Sequence, residues 1–287
     1  MYLEHSARRL LALAIFGLGS ATGGQGLAQS LPAGPILLQP HRVAYEVSLG
    51  ERPGMQAFTG ARGLMVLEFT GNACDGYATN FRQVVDLLDQ DGTPRTLDYR
   101  VNLHEDGAGK RFRFTMLNRL QRDVIRDVDG EARRQRDGSL AVAMKKPAGQ
   151  KSDFDGDVLF PAALSVAMLE AAQKGERSYR AKLFDGAEGG EKIFDVAVTI
   201  GNQLASDRLD RIEMPLRSGV MGALARWPIS IAYYEDAPGD RVPLYTMRSV
   251  TFANGVLGDI TFDFPEFALV AKAVKYEPLP HEPCTKR

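Results

Sequence analysis

Short segments in which apolar and polar residues alternate constrain the fold of this chain more than any other feature. His41–Leu49 reads HRVAYEVSL, and every second residue from Val43 onward is apolar; Arg111–Leu117 (RFRFTML) shows the same period. This period is typical of strands that bury one face. Further segments of this kind are Leu64–Phe69, Tyr77–Leu88, Thr96–Leu103, Asp123–Val128, Ser178–Phe184, Ile193–Ile200, Ile229–Tyr234, Leu244–Phe252 and Ile260–Val274.

Asp-Gly pairs separate several of these segments. They occupy positions 91–92, 106–107, 129–130 and 137–138. An Asp-Gly pair between alternating segments is a strong hairpin signal, because both residues tolerate positive φ. The first half of the chain therefore predicts a long antiparallel meander. Pro265 interrupts the last of the segments and indicates a bent or edge strand there.

One segment, Phe160–Lys174 (FPAALSVAMLEAAQK), has a helical period instead. The apolar positions at i, i+3, i+4 and i+7 are Leu164, Ala167, Met168 and Ala171. Asp157 and Pro161 supply start signals, and Gly175 supplies a stop signal. The sequence thus predicts a mainly β fold: a long antiparallel curled sheet, a β-spiral or open barrel-like structure, with one main amphipathic α-helix. We expect residues 29–287 to form a single domain, because no Pro/Ser-rich linker divides them.

The N-terminus has the pattern of a signal peptide. Arg8 and Arg9 precede the apolar run Leu10–Leu18, and small residues at 26 and 28 suit cleavage after Ala28. The alternative is a retained membrane anchor, but a spanning helix needs about 20 apolar residues. Residues 1–28 are therefore predicted to direct export to the periplasm, and no later segment is apolar enough to span a membrane.

The sequence contains two cysteines, Cys74 and Cys284. Export would place both in an oxidising compartment, where pairing is the default. Two unrelated free thiols are the alternative. A structural zinc site is not predicted, since it would require four sulfur or imidazole ligands.

Other candidate sites fail on spacing. Asp153–Asp157 (DFDGD) resembles a calcium loop, but with Gly156 as its sixth residue, Lys151 would be first and Ala162 twelfth. An EF-hand needs an acidic residue or Asn first and Glu last, so a turn before the helix is the better interpretation. No metal and no other cofactor is predicted.

No catalytic residues are predicted either. His104, Glu105 and Asp106 are neighbours on a strand and point to opposite faces, so a solvated hairpin end is expected. Gly107–Lys110 lacks the remainder of a phosphate loop, and no Gly-x-Ser-x-Gly elbow occurs. Arg217–Arg226 is expected to be a mobile loop or, alternatively, a lid.

Charge excludes nucleic acid as a partner, because the net charge is −1 and no basic cluster stands out. Three functions compete. The curled sheet could hold a hydrophobic ligand, such as a lipid, an acyl chain or a peptide. The protein could be a scaffold with a packed interior that contacts other envelope proteins. An enzyme acting on envelope polymers is the third possibility and the least favoured.

Five segments resemble the EipB family of periplasmic cell-envelope integrity proteins, which were formerly a domain of unknown function. They are Gly63–Tyr77 (GLMVLEFTGNACDGY), Glu105–Phe114 (EDGAGKRFRF), Asp157–Pro161 (DVLFP), Phe184–Gly186 and Leu279–Cys284 (LPHEPC). The likeness covers nearly the whole chain after the predicted signal peptide and includes both cysteines.

The resemblance implies a β-spiral with a helix, similar in shape to the lipoprotein carriers LolA and LolB. It implies a disulfide between Cys74 and Cys284, and a role in envelope maintenance and stress resistance. A hydrophobic ligand or a lipoprotein is accordingly an expected partner. The resemblance carries over no catalytic residue.

Overall fold

The alternating segments form the strands of one sheet in the structure, a computed structural model that describes residues 35–284 apart from residues 53, 55, 187–188, 206, 218 and 237–241. The first eight strands are β1 (His41–Leu49), β2 (Gly60–Asn72), β3 (Gly76–Leu88), β4 (Pro94–Asp106), β5 (Arg111–Leu120), β6 (Asp123–Arg134), β7 (Leu140–Lys146) and β8 (Lys151–Phe154). The remaining strands are β9 (Val158–Leu159), β10 (Ser178–Leu183), β11 (Phe194–Ile200), β12 (Arg226–Glu235), β13 (Tyr245–Phe252), β14 (Leu257–Asp263) and β15 (Ala268–Pro278).

The helices lie in two connections between strands. α1 (Pro161–Gln173) joins β9 to β10, and the short α2 (Gly219–Ala223) precedes β12. Two 3-10 turns, Leu209–Arg211 and Met214–Leu216, lie in the same connection as α2.

The strand order shows that the sheet curls. It runs from β8 through β1 in reverse sequence order, continues with β15, and then descends to β9. β8 and β9 are therefore at opposite edges, yet only residues 155–157 separate them in sequence. A flat sheet of this width would hold its edges about 67 Å apart, whereas so short a link spans at most about 14 Å. The sheet must bring its edges together, which confirms the predicted open barrel-like fold.

Strand pairing is antiparallel except between β9 and β10, which pair in parallel through two residues. β1 pairs with β2 on one side and with β15 on the other. This second contact joins the first strand of the fold to the last. On β1 the side chains of Val43, Tyr45 and Val47 are buried and face one side of the sheet, which we call the inner face.

The predicted helix begins and ends close to the expected residues. Pro161 occupies the first turn. Beyond the C-cap Lys174, Gly175 adopts a φ of 78° and donates its N–H to the carbonyl of Ala172, in the manner of a C-terminal glycine. Leu164 and Met168 are buried as predicted, together with Ala162, Leu169, Ala171 and Ala172.

Two sequence predictions were wrong. Asp129 and Gly130 do not form a turn but lie within β6, where the pairing with β7 shifts register. Gly130 is required for packing, because a Cβ there would come within 2.5 Å of the Phe114 ring. The expected single strand Ile260–Val274 is two strands, β14 and β15, with Pro265 in the turn between them.

Apolar packing is divided among three clusters. The first joins α1 to β10, β11 and β12 and includes Ile36 and Leu38, which precede β1. In the second, β1, β13–β15 and the ends of β2 and β3 near Met65 and Val85 pack with residues of the connection that contains α2. The third joins β5, β6 and β7 to Phe160 and Phe184.

The predicted signal peptide, residues 1–28, lies outside the described residues, and the division of the chain at residue 29 stays a prediction. Among the residues that the structure describes, no helix is long and apolar enough to cross a membrane.

Candidate functional site

The candidate site lies on the inner face of β2, β3 and β4. Residues directly opposite one another in an antiparallel sheet point to the same face. One such row crosses β1 to β6 and consists of Val43, Leu67, Phe81, Val101, Met116 and Val128. The side chains at the two ends of the row are buried, with Val43 0% and Val128 3% exposed. Leu67 and Phe81 in its middle are only half-buried, although Phe81 packs against the second and third apolar clusters.

A neighbouring row repeats this pattern. Phe69, Thr79 and Leu103 are half-buried, whereas the next member of their row, Phe114, is 1% exposed. We call this half-buried part of the inner face the recess. The side chains that line it are Leu67, Phe69, Thr79, Phe81, Gln83, Tyr99 and Leu103.

Helix α1 and strand β13 approach the recess from the other side. Phe69 and Tyr77 pack against the cluster that contains α1, and so do Tyr245 and Met247 of β13. Because β2 and β3 are far from β10–β13 in the strand order, α1 lies between two walls of the curled sheet. The lining is thus mostly apolar, with Thr79 and a few other polar groups.

One buried carboxylate of the sheet holds the start of α1. Phe160, the N-cap residue, offers no side-chain hydrogen bond. Instead, the Glu105 Oε2 atom on β4 accepts a hydrogen bond from the Ala162 N–H at 2.9 Å. A side chain that satisfies a free N–H of the first turn stabilises a helix by about 1 kcal/mol. Asp157 precedes the helix as expected but does not cap it; Glu105 does so from another strand.

Burial makes Glu105 sensitive to pH. The residue is 7% exposed, and desolvation raises the pKa of its carboxyl group to about 7 against the opposing hydrogen bonds from Ala162 and Ala163. The nearby Asp106 raises this pKa further, and Arg134 lowers it. Sequence reasoning placed Glu105 at a solvated hairpin end, which was wrong. The alternation of the strand could have identified it, since Glu105 is four residues after Val101 and therefore lies on the same face of the sheet.

Two tyrosines of neighbouring strands stack on each other beside the recess. Tyr233 of β12 and Tyr245 of β13 are directly opposite each other in register, and their rings stack with centroids 4.3 Å apart. Burial raises the pKa of Tyr233 and Tyr245 well above the ordinary value. These phenols remain protonated and can donate hydrogen bonds.

Other parts of the inner face are filled by connecting segments. The residues after β10 are wedged against β5, where a Cβ on Gly186 would come within 2.5 Å of Phe114. Arg217–Arg226, expected to be a mobile loop or lid, contains α2 and is held by Arg226, which is 0% exposed. The Arg226 guanidinium donates hydrogen bonds to the carbonyls of Gly222 and Ala205. We therefore do not place access to the recess at this segment.

A disulfide joins Cys74, in the turn between β2 and β3, to Cys284 with a Cα–Cα distance of 5.5 Å. The buried Asn72 side chain organises the same region. Its Oδ1 atom accepts hydrogen bonds from the Cys74 and Asp75 N–H groups, and its Nδ2 atom donates to the carbonyl of Glu282. The C-terminal segment is thereby fixed to an early turn of the sheet, as the resemblance implied.

The remaining sequence candidates are structural. His104 and Glu105 point to opposite faces, as expected, and residues 107–110 form a turn in which the Lys110 N–H donates to Asp106 Oδ1 at 2.7 Å. Within the described ranges, no three His, Cys, Asp or Glu side chains are close enough to hold a metal ion.

An antiparallel, nearly closed sheet with an internal helix defines the class of barrel-like β proteins. The EipB-like family model matches residues 32–280. Cell envelope integrity protein EipB of Brucella abortus (strain 2308) is 32% identical over 250 residues, which cover 85% of this chain and 86% of that protein. A crystal structure of a β-barrel-like protein of a domain of unknown function, also from Brucella abortus, superposes with a TM-score of 0.76 at 29% identity and covers 85% of this chain and 100% of that one.

The chain therefore belongs to the EipB-like family. The family resemblance of the five sequence segments is confirmed, and so is the barrel-like fold that it implied.

Proposed function

We propose that this chain is a periplasmic, non-catalytic protein that maintains cell-envelope integrity by binding a hydrophobic ligand in the recess. The ligand would be a lipid, an acyl chain or a peptide. The observation that carries the proposal is the exposure pattern of the inner face, where half-buried residues such as Leu67 and Phe81 lie between buried neighbours in the same row. A packed interior would bury every member of these rows.

The lining has the composition of a site for an apolar ligand. Leu67, Phe69, Phe81 and Leu103 provide aliphatic and aromatic surface, and few polar groups accompany them. Ligand pockets are typically apolar with a small number of polar groups that fix orientation. Burial of apolar surface contributes about 25 cal/mol per Å², so a chain-like molecule would gain affinity along the recess.

Two features support an envelope location and role. The disulfide between Cys74 and Cys284 suits an oxidising compartment such as the periplasm, and the Brucella relative is named for cell envelope integrity. The lining residues also favour binding over catalysis, because their polar members, Thr79, Gln83 and Tyr99, do not include the acid, base and nucleophile that a hydrolytic site combines.

The test is binding of the neutral apolar dye N-phenyl-1-naphthylamine to the oxidised protein, followed by fluorescence. We expect saturable binding. Thr79→Phe should weaken it at least about tenfold by filling the recess, because Thr79 points to the inner face between Phe69 and Leu103. Asn80→Phe is the matched control, since the next residue on β3 is exposed on the other face.

Thermal unfolding of the same variants separates a recess from a packed core. Thr79→Phe should change the free energy of unfolding little if the space is open. Overpacking a filled core typically costs about 1–3 kcal/mol. A wild-type protein without saturable dye binding, or a strongly destabilised Thr79→Phe variant, would contradict the proposed function.

An envelope scaffold is the second candidate, and one observation favours it. Leu64 and Val66 on the outward side of β2 are 54% and 39% exposed, and Arg82 lies directly opposite Val66 on β3. Exposed apolar residues beside arginine are common at protein interfaces. Photo-crosslinking from position 64 in the periplasm should capture envelope proteins if this face binds them, and a Leu64→Ser variant should then lose function while binding dye normally.

A further inference from the structure

Positive charge is concentrated in one part of the sheet. The strands β5–β8 and the turns between them, residues 111–154, contain eleven Lys and Arg and six Asp and Glu. Their net charge is +5, whereas the net charge of the whole chain is −1, so the remaining residues together carry −6. Acidic residues are interleaved with the basic ones, and no long basic run results. One section of the sheet is therefore cationic although the chain is nearly neutral.

The β5–β6 hairpin gives this section an exposed apolar end. Val124 and Ile125, near the start of β6, are 53% and 54% exposed. Ile125 is the extra residue of a bulge, because the pairing of β5 with β6 shifts register beside it. The pairing of β6 with β7 begins only at Asp129, so the hairpin projects beyond β7. We call residues 119–126 the hairpin end.

Arginines flank the two exposed apolar side chains. Arg119 on β5 lies directly opposite Val124, and Arg122 is exposed in the turn between the strands. Asp123, the residue after Arg122, is the one carboxylate within the hairpin end. The hairpin end thus combines aliphatic surface with an excess of positive charge.

The carboxylates beside the hairpin end are already paired with other cations. Asp98 lies opposite Arg119 on β4, but its carboxylate is bound by Arg82 at 3.1 Å and by Arg100 at 2.8 Å. On the β7 side, Asp127 pairs with Lys146 at 3.0 Å. These neighbours therefore do not cancel the positive charge of the hairpin end.

We propose that the hairpin end docks the protein on a bilayer that contains anionic phospholipids. Val124 and Ile125 enter the boundary between headgroups and acyl chains, where exposed apolar side chains become buried. Arg119 and Arg122 bind lipid phosphates, to which a guanidinium can donate two parallel hydrogen bonds. The net charge of β5–β8 adds attraction to the negative surface of the bilayer. This docking does not depend on a ligand in the recess.

A lipid surface suits the hairpin end better than a protein partner does. Residues 117–129 contain no aromatic side chain, whereas the binding energy of protein interfaces is concentrated in anchors that are often Trp or Tyr. Small aliphatic side chains need no matching pocket in a bilayer. Arginines beside them suit a surface that presents many phosphates rather than one fixed partner.

The test is co-sedimentation of the oxidised protein with vesicles of phosphatidylcholine or of an equal mixture of phosphatidylcholine and phosphatidylglycerol. We expect binding to the mixed vesicles and at least about tenfold weaker binding to phosphatidylcholine alone. Binding to the mixed vesicles should also weaken at least about tenfold between about 0.1 M and about 1 M salt, because the Debye length falls from about 10 Å to about 3 Å.

A double variant tests the arginines. Arg119→Gln with Arg122→Gln should weaken binding to the mixed vesicles at least about tenfold, since each arginine near an anionic surface contributes about fivefold. Arg180→Gln with Arg248→Gln is the matched control, because both residues are exposed on distant strands, β10 and β13. The control should bind as the wild-type protein does.

A tryptophan substitution tests the position of the contact. The emission of Ile125→Trp should shift to shorter wavelength when mixed vesicles are added, because the indole enters a less polar region. Val274→Trp is the control, since Val274 on β15 is 46% exposed and lies away from the hairpin end; its emission should not shift.

Each contrary result overturns a stated part of the proposal. Absence of binding to the mixed vesicles would refute docking on a bilayer and would favour an acidic protein as the occupant of the hairpin end. Equal binding to phosphatidylcholine alone would refute the role of anionic lipid. Unchanged binding of the Arg119→Gln/Arg122→Gln protein, or an equal emission shift at position 274, would place the contact elsewhere. Dye binding in the recess is a separate measurement, so its failure would leave this docking untouched.

Discussion

Glu105 provides the sharpest test of how the internal helix is held. Glu105→Gln removes the buried charge and retains an oxygen that can accept the Ala162 N–H. The pKa of the folded carboxyl, about 7, lies above its ordinary value of 4.5. This difference corresponds to about 3 kcal/mol, at 1.36 kcal/mol for each pH unit. The folded state therefore binds the proton more tightly, and this contribution is fully present below about pH 4.5 and is lost as pH rises to about 7.

The assay is urea unfolding followed by tryptophan fluorescence between about pH 4.5 and pH 8. Trp227, the single tryptophan of the chain, is buried in the cluster that contains α1 and reports on that packing. We expect the two proteins to be about equally stable at the acidic end. Near pH 8 the Gln variant should be more stable by up to about 3 kcal/mol, or about 6–12 °C in Tm for a domain of this size.

Other titrating groups do not confuse the comparison. Burial lowers the pKa of His41, so its contribution is present above the ordinary histidine pKa and is lost as pH falls, opposite to that of Glu105. His41 is present in both proteins, and its effect cancels in the difference. Glu46→Gln, at an exposed position of β1, should leave the pH profile unchanged. Parallel profiles for wild type and Glu105→Gln would refute the reasoning, as would a Gln variant that is less stable at pH 8.

Three further predictions concern packing and the disulfide. Cys74→Ser should lower Tm by several degrees, because loss of a native disulfide typically costs about 2–5 kcal/mol, and thiol titration of the wild-type protein should find no free thiol; an unchanged Tm would mean that the bond does not contribute to stability. Met168→Asp buries an unpaired charge at a site that is 4% exposed and should cost several kcal/mol in urea unfolding, whereas equal stability would place this face of α1 outside the core. Gly130→Ala should cost about 1–3 kcal/mol through contact with Phe114, and an unchanged urea midpoint would show that the ring can move.

Local patterns in the sequence were sufficient for most strands and for the helix. His41–Leu49 was predicted and is observed with the same bounds, and the helix predicted at Phe160–Lys174 spans Pro161–Gln173. Alternation states which residues share a face, but it does not state which strands are neighbours. The pairing of β1 with β15 joins the run of strands β1–β8 to the run β9–β15. It could not be derived from the pattern for this reason.

The interpretations of Gly130 as a turn residue and of Asp157 as a helix cap failed for the same physical reason. Gly130 looks like a turn residue because glycine tolerates positive φ, yet its role is to make room for Phe114 in the third cluster. Asp157 looks like a helix cap because it precedes the helix, yet Glu105 satisfies the N–H of Ala162 from a distant strand. In both cases a contact between residues far apart in sequence replaces the local explanation.

The candidate site was predictable only in part. A mostly apolar interior followed from the alternating strands, but the stacking of Tyr233 on Tyr245 depends on the register of β12 against β13. The spacing of the two tyrosines in the sequence does not predict this contact. Glu105 is different, since its even spacing from Val101 on β4 already predicts a carboxylate among inward-facing apolar residues.

Regions other than the recess supply most of the burial that stabilises the fold. The buried members of the three apolar clusters come from strands around the sheet and from α1, and the disulfide fixes the C-terminal segment. Leu67, Thr79 and Phe81 retain exposure, so they contribute less burial energy than their buried neighbours. Substitutions in the recess should therefore alter ligand binding more than stability, whereas substitutions such as Met168→Asp should do the reverse. The proposed binding site requires this separation, since surface that contacts a ligand cannot also be buried in the core.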